Sequence, residues 1–145
     1  MSLFQRILVP VDGSKHAVEA LKFGLELAKL TEAQIHVLHV IDTASVSQIS
    51  RLFGKSQAHI QEELRERAMG ILVDANTVAR EANIEITTHM EEGVPYEAVV
   101  DHAQHHGVDL IVIGRVGTRG PRRILIGSIT ERVIETAPCH VLVIR

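Results

Sequence analysis

Apolar positions along the chain fall into two alternating patterns. Short β-branched runs are separated by longer stretches in which apolar residues recur at helical spacing. Residues 7–11 (ILVPV) read as a buried strand that gives way to turn residues at 10–13. Ser14 then offers a cap to a helix whose Ala17, Ala20, Leu21, Gly24 and Ala28 share one face, with Leu25 widening the stripe. Residues 35–41 (IHVLHVI) predict a second strand. The serine- and threonine-rich residues 42–56 show no firm period and read as a loop with a few turns. From about Ala58, the spacing of Ile60, Leu64, Ala68, Ile71, Leu72, Ala75, Val78, Ala79 and Ala82 predicts a long amphipathic helix.

A third strand is predicted at 84–90, and Pro95 suits the first turn of a helix running to about His106, with Gly107 as its stop. Residues 109–113 (DLIVI) are almost wholly apolar, as in a strand covered on both faces. Ser128-Ile129-Thr130-Glu131 has the form of a capping box with Ser128 as the cap, and Pro138 ends the helix it would open. A last strand follows from Val141 to Ile144. Strands alternating with helices imply an α/β fold: an open, five-stranded parallel sheet, doubly wound by right-handed crossovers. With 145 residues and no convincing repeat or linker, one domain spanning 1–145 is expected.

Composition narrows the function classes. A net charge of -3 gives no bulk attraction for nucleic acid, so any basic site must be local, as at residues 115–123. The single cysteine, Cys139, rules out an intrachain disulfide or a cysteine-based zinc site. The first residues (MSLFQRILVPVD) lack the apolar core of a signal peptide, and no run approaches the ~20 apolar residues of a membrane span, so no membrane association and a cytoplasmic location are expected.

Candidate chemistry lies in GRVGTRGPRRILIGS, residues 114–128, which leaves the carboxyl end of the fourth predicted strand. Doubly wound sheets bind ligands beyond the carboxyl ends of their strands, where the strand order reverses. If the first and fourth strands are neighbours, residues 10–14 and 114–128 face each other there. Gly114, Gly117 and Gly120 would let backbone N–H groups approach an anion as a nest. Gly127 and Ser128 would add a helix N-terminus, whose partial positive charge favours phosphate. The same glycines would also serve a plain connection, with Ser128 only a cap. The segment contains neither a Walker A loop nor a G-x-G-x-x-G fingerprint.

The spacing Gly114-x2-Gly117-x9-Gly127-Ser128 resembles the G-x2-G-x9-G-[ST] motif of the ATP-binding branch of the universal stress protein family. RILVPVDGS (residues 6–14) and the closing block (residues 109–145) are similar to the family's first strand and last block, so the resemblance covers essentially the whole chain. It implies a Rossmann-like sheet of the adenine-nucleotide-binding type. By this resemblance Pro10, Asp12 and Val40 would lie around adenine and ribose, and Gly114 beside the ribose. Arg115, Val116, Gly117, Thr118, Arg119 and Gly120 would line the phosphate loop, and Gly127, Ser128, Ile129 and Thr130 would close over the phosphates. Arg115-Val116 stands where the family commonly has small or polar residues, and Pro121 removes one donor. ATP is the implied ligand, with Mg2+ or Mn2+ bridging its phosphates; AMP and cyclic nucleotides share the adenine and ribose contacts.

The resemblance also implies a homodimer paired through Val141 to Ile144, and a regulatory, stress-response role exercised through that dimer or an unknown protein partner. No nucleophile and base pair is legible in the loop, so any ATP hydrolysis should be slow. A slow hydrolase or phosphotransferase using His16 or His39 as base is the enzyme alternative, and a dimerising module without nucleotide is the third. Among the other residues, Asp12 alone would also serve as a turn former, and of the loop arginines Arg119 is the one expected on phosphate. His102, His105 and His106 have helical spacing that could bring two imidazoles to a metal, but near a helix C-terminus they are read as complementing the dipole, and no side-chain metal site is expected. His36 and His39 differ in strand parity and point to opposite faces. Cys139 is read as packing.

Overall fold

The computed structural model describes residues 3–117 and 125–145. In chain order the elements are β1 (Arg6–Pro10), α1 (Lys15–Thr31), β2 (Gln34–Asp42), α2 (Thr43–Phe53), α3 (Gln57–Glu81), β3 (Ile86–Gly93), α4 (Pro95–His105), β4 (Leu110–Gly114), α5 (Ser128–Thr136) and β5 (His140–Ile144). The five strands form one sheet in the order β3-β2-β1-β4-β5, and every pairing is parallel. This is the doubly wound α/β sheet expected from the alternation of elements, and β1 does lie beside β4, with Ile7 opposite Leu110 and Leu8 opposite Ile111.

The period-two alternation along each strand sorts its side chains into two cores. Ile7, Val9, Ile35, Val37, Leu110 and Val112 face α1 and α3, whose Leu21, Leu25, Leu72 and Ala79 are buried against them. Leu8, Leu38, Ile111 and Ile113 face the other way, onto Val99 and Ala103 of α4 and Val133 of α5. The strand order reverses between β1 and β4, which with right-handed crossovers puts helices on both faces, and the crevice of the fold opens there.

Two local expectations are corrected. Residues 43–53 form a helix rather than a loop: Asp42 caps α2 by accepting from the Ala44 N–H at 3.0 Å, and Gly54 ends it in the left-handed region at φ 64°. Val46 and Ile49 of α2 pack with Ile41 and with Ile60, Leu64 and Ala68 of α3, so tertiary burial decides what composition left ambiguous. At α5 the N-cap is Gly127, not Ser128, and no side chain accepts at that cap; Ser128 is the first helical residue. By contrast Ser14 caps α1 as expected, its hydroxyl accepting from Ala17 N–H at 3.2 Å. No helix among the described residues is long and apolar enough to cross a membrane.

Candidate functional site

At the carboxyl ends of the strands the chain leaves a cavity of about 390 Å3, within the ~300–1,000 Å3 usual for small-molecule sites. One side is built by the turn after β1. Pro10, which has no N–H to donate, ends the strand, and pairing of β1 with β4 stops two residues earlier at Leu8. Asp12 then accepts from the Ser14 N–H at 2.9 Å, and Gly13 takes φ 87° to complete the turn. The opposite side is built by the segment after β4. Its two described ends are tied together, Gly127 N–H donating to the Arg115 carbonyl at 2.8 Å and the Arg115 guanidinium donating to the Leu125 carbonyl at 2.7 Å.

The two sides touch across the crevice. A Cβ on Gly117 would collide with the Asp12 carboxylate, and one on Gly114 would meet the backbone of His16 in α1 at 3.0 Å. A Cβ on Gly127 would meet Val116 Cα at 3.2 Å. Each of the three described motif glycines is thus a point of close approach: a side chain at Gly117 would press on the β1 turn, one at Gly114 on α1, and one at Gly127 on the start of its own segment.

Of the residues expected at the site, Pro10, Asp12, Val40, Gly114, Val116, Gly117, Gly127, Ser128, Ile129 and Thr130 all line this cavity. Thr130 does so from a buried position, 3% exposed, with its hydroxyl donating to the Gly114 carbonyl at 2.7 Å; this bond docks the first turn of α5 onto the end of β4. Arg115 does not line the cavity, because its side chain is turned along the loop to Leu125. Thr118, Arg119 and Gly120, together with Pro121, Arg122 and Arg123, lie outside the described residues.

Sequence reasoning missed the far wall. Ser45 and Ile49 reach the cavity from α2, and Leu64 and Arg67 from α3. Arg67 brings a guanidinium to the Gly13 turn, its Nη2 lying 3.9 Å from where a Gly13 Cβ would be. The signal for α2 was present as Asp42 before it, Gly54 after it and Val46, Ile49 and Phe53 on one side. The cavity therefore has an apolar wall of Val40, Ile49 and Leu64, and an end lined by Gly114, Gly117, Gly127 and the start of α5.

The histidines separate as strand parity requires. His39 lines the cavity with Nδ1 2.7 Å from the Val11 carbonyl, whereas His36 points to the opposite face. On that face His36 meets His89, His102 and His106, and His105 stands apart, its Nδ1 2.7 Å from the Asp101 carbonyl. Cys139 is half-buried against the α4–α5 core, and burial, followed by the nearby Asp109 charge, pushes its thiol pKa up; it is a packing group rather than an activated thiol.

The comparisons with known proteins agree with this architecture. The model of the universal stress protein family matches residues 3–145. A universal stress protein of Methanocaldococcus jannaschii is 38% identical over 145 residues, covering 99% of this chain and 84% of that protein. The solved structure of a hypothetical protein, MJ0577, covers 98% of this chain and 96% of its own, with a TM-score of 0.84 and 28% identity. A universal stress protein from Lactobacillus plantarum covers 98% of both chains at a TM-score of 0.71 and 33% identity. Two more distant universal stress proteins share the fold. One, solved in complex with cAMP, covers 99% of both chains at a TM-score of 0.77 and 23% identity, and the other, from Archaeoglobus fulgidus in complex with dAMP, covers 100% of both at 0.69 and 24%. By sequence and by fold, the chain belongs to the universal stress protein family.

Proposed function

We propose that the crevice between the β1 and β4 turns holds an adenine nucleotide, with ATP as the ligand, and that the protein is a nucleotide-dependent regulatory switch of a stress response, acting through homodimer or partner contacts. The observation that carries this reading is the two-ended cavity. Its apolar wall at Val40, Ile49 and Leu64 suits a purine ring, and its glycine turn and the start of α5 offer backbone donors to phosphate. Arg67 adds a cation at the same mouth. The cAMP and dAMP complexes of the two distant relatives are in keeping with this choice of ligand.

The donor set also bears on the metal. Among the described residues, the side-chain oxygens at the glycine end are few, chiefly the Asp12 carboxylate, already accepting from Ser14 N–H, and the Ser128 hydroxyl. Mg2+ or Mn2+ would therefore ride on the phosphate oxygens and water rather than in a protein cage, and would neutralise phosphate charge near Asp12. Edge pairing of β5 with a second copy would supply the homodimer.

Calorimetric titration of ATP with Mg2+ into the wild-type protein and Gly117→Val tests the site. The variant's branched side chain would displace Asp12 and enter the cavity, so binding should fall at least tenfold while circular dichroism stays unchanged. Equal affinity in a folded variant would remove the phosphates from this turn, and no binding by the wild type would leave the dimerising module without nucleotide. A hydrolase reading has one observation in its favour. The His39 Nδ1–H can donate to the Val11 carbonyl, which leaves the other ring nitrogen basic in a residue that lines the cavity. Turnover of labelled ATP that disappears in His39→Gln would establish it.

A further inference from the structure

We propose that His36, His89 and His102 form a binding site for a divalent transition-metal ion of the Zn2+ class, separate from the nucleotide crevice. One ring nitrogen from each of the three lies within 4.8 Å of the other two. A tetrahedral ion with bonds of ~2.0–2.1 Å holds its nitrogens about 3.4 Å apart, so the three nitrogens need to close by no more than about 1.4 Å. The His36 Nδ1 and His89 Nε2 are already 3.0 Å apart.

The register explains the assembly. His36 lies on β2 and His89 on β3, where His89 stands opposite Leu38, so both project from the face on which α4 packs. His102 and His106 lie one turn apart near the end of α4 and stack at a ring separation of 4.0 Å. The His102 ring comes edge-on to His89 at 4.4 Å.

His102 shows that the arrangement is more than crowding. It is 3% exposed, and its Nδ1 lies 3.2 Å from Glu91 Oε1, which fixes the proton on that nitrogen. In the neutral ring its Nε2 then carries the lone pair, and it is the only buried side-chain polar atom without a hydrogen-bond partner among the described residues. Leaving such an atom unsatisfied is costly. Metal-ligating histidines carry this arrangement, a carboxylate holding the proton on one nitrogen and orienting the other toward the ion.

The surroundings favour neutral, ligating rings. Burial, then the neighbouring imidazoles, lower the pKa of both His36 and His89, with the Arg6 charge acting also on His36 and Glu91 opposing on His89. When the ion enters, the proton shared by His36 and His89 moves to the outer nitrogen of one ring, so no net charge leaves the pair. Both residues are half-exposed, which gives the ion a path from solvent, and the exposed His106 forms the rim. Three imidazoles leave one coordination position for water.

The test is titration of ZnCl2 into the chelator-treated full chain without nucleotide, by calorimetry, with Co2+ as a spectroscopic stand-in. One equivalent should bind with micromolar or tighter affinity, and Co2+ should give the intense visible absorption of a tetrahedral site. His36→Gln and His89→Gln should each weaken binding at least tenfold, whereas His105→Gln should not change it. Both rings are half-exposed, so these variants should fold; circular dichroism checks this, and His102→Gln serves as a third. Wild-type binding weaker than about 100 μM, or undiminished binding in folded His36→Gln and His89→Gln, would overturn the site. Gly117→Val should keep the full Zn2+ affinity, which separates this site from the nucleotide reading.

Discussion

One methyl group distinguishes two glycines of this chain. In the middle of α3, Gly70 has nothing within 4 Å of where its Cβ would stand, so only its helix propensity is felt. Gly70→Ala should stabilise the protein by about 0.5–1 kcal/mol, read as a higher urea midpoint with an unchanged slope. At Gly114 the same methyl group meets the His16 backbone, which cannot move aside without shifting α1. The spacing of Gly114, Gly117 and Gly127 was legible as a motif, but its physical reasons were not. For Gly114 and Gly117 they depend on His16 and Asp12, about a hundred residues away in sequence, coming to the same place through the β1–β4 pairing. The histidines show the same limit. Parity correctly separated His36 from His39, but His36 and His102 could be brought together only by knowing that α4 lies across β2 and β3.

At the scale of elements, the strands and the four longer-patterned helices were legible because each repeats one period over its length. Helix α2 was not, since it buries only Ser45 and Val46 outright and leaves Leu52 and Phe53 77% and 70% exposed. Its sequence therefore shows a weak stripe in a setting rich in residues that compete for their own backbone. Helix α1, by contrast, buries six residues. Local opening should be correspondingly easier in α2. In hydrogen exchange followed by mass spectrometry, the amides of α2 should exchange faster than those of α1 in the free protein and slow when ATP is added, because Ser45 and Ile49 line the crevice. Protection of α2 equal to that of α1 without nucleotide would contradict this account.

Across the whole molecule, a parallel sheet has two different ends and two open edges. The β3 edge is attended by α3, from which Gln61 and Arg65 reach Glu92 at 2.7 Å and 3.0 Å. The β5 edge carries HVLVI, partly buried from Val141 onward, and its ladder is made on the β4 side. Such an apolar edge invites a second copy. Light scattering at micromolar concentration should give twice the 16.0 kDa chain mass, and a monomer would exclude pairing of β5 edges.

Strand β2 passes beneath both regions, with His36 near its start and Val40 four residues on, a span of about 13 Å at ~3.3 Å per residue. Extended backbone inside a five-stranded sheet is stiff, so that separation is a built-in yardstick. Paramagnetic Co2+ seated on the imidazoles would broaden the proton resonances of a purine beside Val40 to an extent set by the strand, and the position of the bound base could be surveyed in solution from inside the protein.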